Sequence, residues 1–173
     1  MRSRSWSVAF LTLLVLALST ALGGCLSREP GQVDGANSVV IKLYFVDRDG
    51  YLVAENRTVE NTPELPRVAL QLLMEGPRPE SGLLRTIPAT ARLRNLVIKN
   101  GLATADFSRE IQTEHGGGAL DESITVYSIV NTLAQFPSVK QVQILVEGEQ
   151  IQSLAGHLDL TEPVVPNFNL VRR

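Results

Sequence analysis

Val39-Val40-Ile41-Lys42-Leu43-Tyr44-Phe45-Val46, Asp47-Arg48-Asp49-Gly50 and Tyr51-Leu52-Val53-Ala54-Glu55-Asn56-Arg57-Thr58-Val59 follow one another without interruption. β-Branched and aromatic residues dominate the first run. A period of two sets Ile41, Leu43 and Phe45 on one face and Val40, Tyr44 and Val46 on the other. Asp-Gly accepts the positive φ that tight hairpin turns need, so the third run reads as a returning antiparallel strand. Pro63 to Glu75 then changes to helical spacing, with Leu65, Val68, Ala69, Leu72 and Leu73 along one side and Gly76-Pro77 as its stop.

The same order recurs downstream. Arg92 to Lys99 and Leu102 to Phe107 flank Asn100-Gly101, a strong hairpin signal. A helix is predicted over Leu120 to Gln135, capped near Asp121, with Ile124, Tyr127, Val130, Leu133 and Ala134 on its apolar side. Val139 to Val146 reads as a strand, Glu147-Gly148 as a turn and Gln150 to Leu154 as a short return. The order ββαββαββ predicts a single α+β domain, its helices packed on a mainly antiparallel sheet. The two halves share a layout but no residue-level repeat.

Upstream of the hairpin the chain changes character. Arg2 and Arg4 precede an uncharged apolar run from about Val8 to Leu22, the layout of a secretory signal. The run is shorter than the roughly 20 apolar residues that span a bilayer comfortably. Leu22-Gly23-Gly24-Cys25 resembles the bacterial lipobox, in which a Leu and two small residues precede a Cys whose thiol takes a diacylglyceryl group before cleavage. On that reading residues 1–24 are a signal peptide and 25–38 a lipid-anchored tether. Residues 39–166 form the domain and 167–173 a C-terminal tail. Cleavage leaves 149 of the 173 residues and removes Arg2 and Arg4 but no acid, so the net charge moves from −2 to −4. An acidic domain must be held on an anionic membrane by its acyl chains, palmitate among them, because electrostatic adhesion is not available to it.

Composition narrows the chemistry. With 44% hydrophobic residues the chain is not disordered throughout, and its one Cys cannot build a disulfide framework or a cysteine zinc cage. Two His leave few imidazole ligands for a metal, and the acidic balance argues against nucleic acid as a partner. No cofactor is expected.

Several phrases, in order, resemble the sporulation and spore germination GerM domain family. They are Leu43-Tyr44-Phe45-Val46-Asp47 with Leu52 to Arg57, Ala69 to Pro77, whose Leu72-Leu73-Met74-Glu75-Gly76-Pro77 resembles the family's LL-x-GP helix end, Thr86-Ile87-Pro88, and Ala105-Asp106-Phe107-Ser108. Val130 to Pro137 then leads into Val142 to Gly148, and Gly156-His157 follows. The resemblance implies a fold similar to the ring-building motif of secretion-system proteins. It also implies a non-enzymatic lipoprotein on the extracytoplasmic face of the cell membrane that assembles with envelope proteins, itself included if it forms a homo-oligomeric ring. Related domains in non-sporulating bacteria imply the alternative of a sensor-kinase-associated or wall-binding lipoprotein.

Other residues invite functional readings, each beside a plainer one. Gly76-Pro77 and Phe136-Pro137 are explained by helix termination. Thr132 is expected to bond back to its own helix and Asn131 to pair with a neighbouring loop. Asp106, Ser108 and His115 would suit a hydrolase only if the base lay within hydrogen-bond reach, and His115 stands beside the flexible Gly116-Gly117-Gly118. His157 lacks neighbours at metal-ligand spacing. Arg85, Arg92, Arg94 and Lys99 form either a basic strip for an acidic partner or the charged protection of an edge strand.

Overall fold

The computed structural model describes residues 37–172. Leu22, Gly23, Gly24 and Cys25, the whole signal segment and nearly all of the tether lie outside the described residues. Among the described residues six strands and three α-helices follow in the expected order except for one additional short helix, α2: β1 (Ser38–Val46), β2 (Leu52–Glu60), α1 (Leu65–Glu75), β3 (Leu93–Lys99), β4 (Gly101–Phe107), α2 (Glu110–Thr113), α3 (Ala119–Ala134), β5 (Val139–Val146) and β6 (Glu149–Gln150). The α+β class is as read from sequence. The strands divide between two sheets, however: a hairpin β1-β2, and a four-stranded sheet in the order β3-β4-β5-β6.

Pairing is antiparallel except between β4 and β5, which run parallel because α3 carries the chain back between them. The β1-β2 register runs from Ser38 opposite Glu60 to Val46 opposite Leu52, and Ile41, Leu43 and Phe45 enter the core as their alternation requires. Asn100 at φ 51° and Gly101 at φ 84° make the β3-β4 turn, where successive left-handed residues match the strand twist.

Helix α3 is the centre of the domain. Its buried residues include Ile124, Val126, Ile129, Val130 and Leu133, but also Glu122, Thr125, Ser128, Asn131 and Thr132. A helix enclosed on nearly every side has no solvent face for polar residues, so each of these must bond to a neighbour. Its Ile129 and Leu133 share the core with Phe45, Phe107, Leu70 and Leu73 from the elements around it. Burial of each such side chain contributes about 1.5–3 kcal/mol.

Four local expectations change. The return strand over Gln150 to Leu154 stops at Gln150, because the amide of Leu154 is turned to the Glu122 carboxylate instead of a ladder. Helix α3 begins at Ala119 behind Gly118, so Asp121 lies in its first turn rather than capping it. Strand β1 begins at Ser38, one residue inside the segment assigned to the tether. The C-terminal tail is packed on the domain: Val171 bridges to Leu52, the Phe168 ring lies 6.2 Å from that of Tyr44, and Arg172 pairs with Asp47 and Asp49, both at 2.6 Å. No helix among the described residues is long and apolar enough to cross a membrane.

Candidate functional site

The residues that could have formed a hydrolytic centre are held apart by their own bonds. Asp106 on β4 accepts from Arg94 Nη1 at 3.0 Å and from the Gly148 amide at 2.8 Å, tying β3 to the β5-β6 turn. Ser108 Oγ accepts the Arg92 amide at 3.0 Å, and its bond to Glu110 is the main cause holding that carboxyl below its ordinary range. His115 bonds to neither Asp106 nor Ser108. Its Nδ1 accepts the Gly117 amide at 3.1 Å, so the network assigns the ring proton to Nε2, which lies 3.0 Å from Thr125 Oγ1. Thr125 in turn donates to the Thr86 carbonyl at 2.6 Å. The glycine loop beside His115 is thus fastened to α3 and to Thr86 through the imidazole.

His115 borders a cleft of about 410 Å³ between the Leu84–Ala89 segment and the start of α3. Val46, Ile87, Pro88 and Ile124 give it an apolar floor, and Leu84 and Leu120, 51% and 55% exposed, stand at its rim. Glu114 and Asp121 add two carboxylates. Thr86 Oγ1 is the one buried side-chain polar atom without a partner among the described residues. The Thr86-Ile87-Pro88 phrase therefore forms a wall of this cleft.

Arg85 and Arg94 are committed to different partners. Arg85 reaches the Met74 and Glu75 carbonyls at the end of α1, where a cation favours the negative end of the helix dipole. Arg94 is shared by Asp106 and by Glu147, 3.6 Å away. Strand β3 is an edge strand, as the plainer reading required. Its Leu96 carbonyl is stopped by Arg67 at 3.1 Å.

Gly76-Pro77 is gripped from the hairpin. Arg57 pairs with Glu55 and donates to the Gly76 carbonyl at 3.1 Å, while Glu55 accepts the Arg78 amide at 3.1 Å. Gly76 has φ 99°, a conformation that favours glycine, and a Cβ there would press on the Arg85 guanidinium, which would have to shift. The LL-x-GP and Glu55-Asn56-Arg57 phrases thus meet in one structural clamp.

Three roles on α3 differ from, or go beyond, the sequence reading. Thr132 Oγ1 does not bond back to its own helix; it accepts the Tyr44 amide of β1 at 3.3 Å. Gln135 imitates a strand, accepting from Lys42 N and donating to Lys42 O, both at 2.8 Å. Asn131 makes the expected loop contact, a reciprocal pair with the Asn167 backbone at 2.9 and 3.0 Å. Glu122, fully buried, was not foreseen at all. Desolvation pushes its carboxyl up, but the amides of Ala155, His157, Leu154 and Leu158 together hold it below the ordinary carboxylate range. The bonds to Leu154 and His157 are each 2.7 Å. An acid at this point of a helix looks solvent-facing from sequence, and only the packed loop shows otherwise. His157 contributes its amide to this cradle. Among the described residues, no group of three or more His, Cys, Asp and Glu is placed to hold a metal.

A family model described as "Germane: Sporulation and spore germination" matches residues 42–152. The chain is 30% identical over 131 residues to the spore germination protein GerM of Bacillus subtilis (strain 168), covering 73% of this chain and 35% of that protein. It therefore spans about a third of that relative's length. Among solved structures, the tandem GerMN domains of the sporulation protein GerM from Bacillus subtilis superpose with a TM-score of 0.64 at 26% identity, over 76% of this chain and 47% of that one. The first GerMN domain alone gives 0.63 at 28% identity, over 75% of this chain and 98% of that one.

Proposed function

This chain belongs to the Germane family of sporulation and spore germination proteins, and from that premise we propose that it is a membrane-anchored, non-enzymatic lipoprotein that assembles with other envelope proteins. The observation that carries the non-enzymatic part is the separate commitment of Asp106, Ser108 and His115 to Arg94 with Gly148, to Arg92 with Glu110, and to Thr125 with Gly117. A nucleophile needs its base within hydrogen-bond reach, and these side chains are bound elsewhere. The anchor is read from Leu22-Gly23-Gly24-Cys25, with the acylated thiol in the bilayer and the domain on the extracytoplasmic face.

Anchoring would do mechanical work here. Confinement to a surface raises the effective concentration of weak binding faces, so modest contacts suffice for assembly, including a homo-oligomeric ring. Nucleic acid and cofactors play no part in this function.

The test is fractionation and capture in the source cell. Cys25→Ala should give an uncleaved or released chain, and the wild type should bring down envelope proteins when recovered from the membrane. A Cys25→Ala chain that stays mature-sized and membrane-bound overturns the anchor. Capture of a sensor kinase or wall glycan instead of structural envelope proteins replaces the assembly role by the alternative one. Wall hydrolysis abolished by Asp106→Asn or His115→Ala overturns the non-enzymatic reading.

A further inference from the structure

The two ends of the domain carry complementary free charge. At one end is the cleft beside His115, with Glu114 and Asp121 over an apolar floor, half-exposed Leu84 and Leu120 at the rim, and one cation on its wall, Arg85, whose guanidinium is turned to the Met74 and Glu75 carbonyls. Neither carboxylate has an ion-pair or hydrogen-bond partner among the described residues, in contrast to Glu55, Asp106, Glu122 and Glu147. At the other end is the β3-β4 turn. Lys99 precedes it, and Lys140 lies against it, since a Cβ on Gly101 would stand 3.1 Å from Lys140 Cγ. Val97, 51% exposed, shares this tip, and neither lysine is paired among the described residues.

The topology fixes the separation. Strand β4 starts at Gly101 beside the lysines and ends at Phe107, from which α2 leads to Glu114 and His115. Seven strand residues span about 20 Å. Helix α3 gives the same answer independently, since it begins at the cleft and its 16 residues run about 24 Å before the chain reaches Lys140. An acidic apolar recess and a basic apolar knob therefore occupy opposite ends of one domain.

We propose that the β3-β4 tip of one copy, with Val97, Lys99 and Lys140, docks into the Glu114/Asp121 cleft of the next. Lysine stems lie along the apolar floor while their ammonium groups meet the carboxylates. Because donor and acceptor surfaces differ and lie at opposite ends, the contact is heterologous and extends head to tail. The proposal rests on the assembly role proposed above and identifies the face through which copies of this chain meet.

The experiment is sedimentation equilibrium of the purified full chain in mild detergent at low salt, with charge reversals at each end. Wild type should show a weight-average mass that rises with concentration and falls toward the monomer as salt is added. Glu114→Lys/Asp121→Lys alone, and Lys99→Glu/Lys140→Glu alone, should each weaken association roughly tenfold or more, because like charges then face one another. An equimolar mixture of the two variants should restore it, since each reversed end meets a complementary one. A wild type that stays monomeric at all attainable concentrations overturns the proposal, as does association indifferent to the reversals or not restored by mixing. Circular dichroism of each variant confirms the fold. Membrane retention and capture of other envelope proteins by a monomeric wild type would leave the assembly function standing while this interface falls. Salt-sensitive self-association, lost on reversal and restored by mixing, in a chain that captures no other envelope protein would separate the two the other way, this interface standing while the assembly with other envelope proteins falls.

Discussion

Replacing Glu122 by glutamine probes the buried cradle that fastens the loop at Leu154 to Leu158 onto α3. The carboxylate accepts the Leu154 amide on Oε1 and the His157 amide on Oε2, each at 2.7 Å, with Ala155 and Leu158 also donating. Glutamine keeps one acceptor oxygen and turns an NH₂ group toward amides that can only donate. Bonds to a charged group contribute about 1.5–3 kcal/mol each, so losing those on one oxygen and weakening the rest should cost about 3–5 kcal/mol. For a chain of this length that corresponds to a fall of roughly 6–20 °C in Tm. Hydrogen exchange at Leu154 and His157 should quicken before global unfolding, because the loop is released first. The pH dependence has a definite sign. The folded carboxyl lies below its ordinary value of 4.5, so its contribution is complete above that pH and is lost as pH falls through the folded value. Thermal melts of wild type and Glu122→Gln should therefore differ widely at neutral pH and converge in acid. Melting within about 1 °C of wild type at pH 7, with no convergence in acid, would refute this account of Glu122.

Three further outcomes follow from single contacts. Thr86→Val removes a buried hydroxyl that has no partner among the described residues, and should raise stability by about 1 kcal/mol; a clear drop in Tm would show that Oγ1 is satisfied in solution. Gln135→Leu removes both bonds to the Lys42 backbone and should cost about 1–2 kcal/mol, with amide exchange at Lys42 accelerated in NMR-detected measurements; unchanged protection there would end the strand-mimic argument. Gly76→Ala should cost about 1–3 kcal/mol in denaturant unfolding. Made in an Arg85→Ala background the cost should shrink but persist, because the steric part is relieved and the positive φ remains.

The hairpins, both long helices and the α+β class were legible because they rest on local signals. Alternation set Ile41, Leu43 and Phe45 inward, Asn100-Gly101 fixed a turn by backbone sterics, and Gly76-Pro77 ended a helix. The family phrases were legible too, though their meaning was not. Arg57 and Gly76 stand 19 residues apart in sequence, and nothing local shows that Arg57 holds the Gly76 carbonyl. Strand Gln150 to Leu154 failed as an expectation because a side chain on a distant helix competes for its amides.

What the sequence by itself determined was the two hairpins, the two long helices and the strand after the second of them, in their order, together with an uncharged apolar run ahead of a more acidic remainder. Tertiary structure alone decided which polar residues are committed and which are free. Glu122 and Asp121 are adjacent acids in one helical turn; one is sealed beneath a loop by backbone amides, and the other faces an open cleft. Periodicity reports which side of a helix a residue occupies, whereas the partner that quenches its charge comes from elements far away in the chain and becomes known only when they pack.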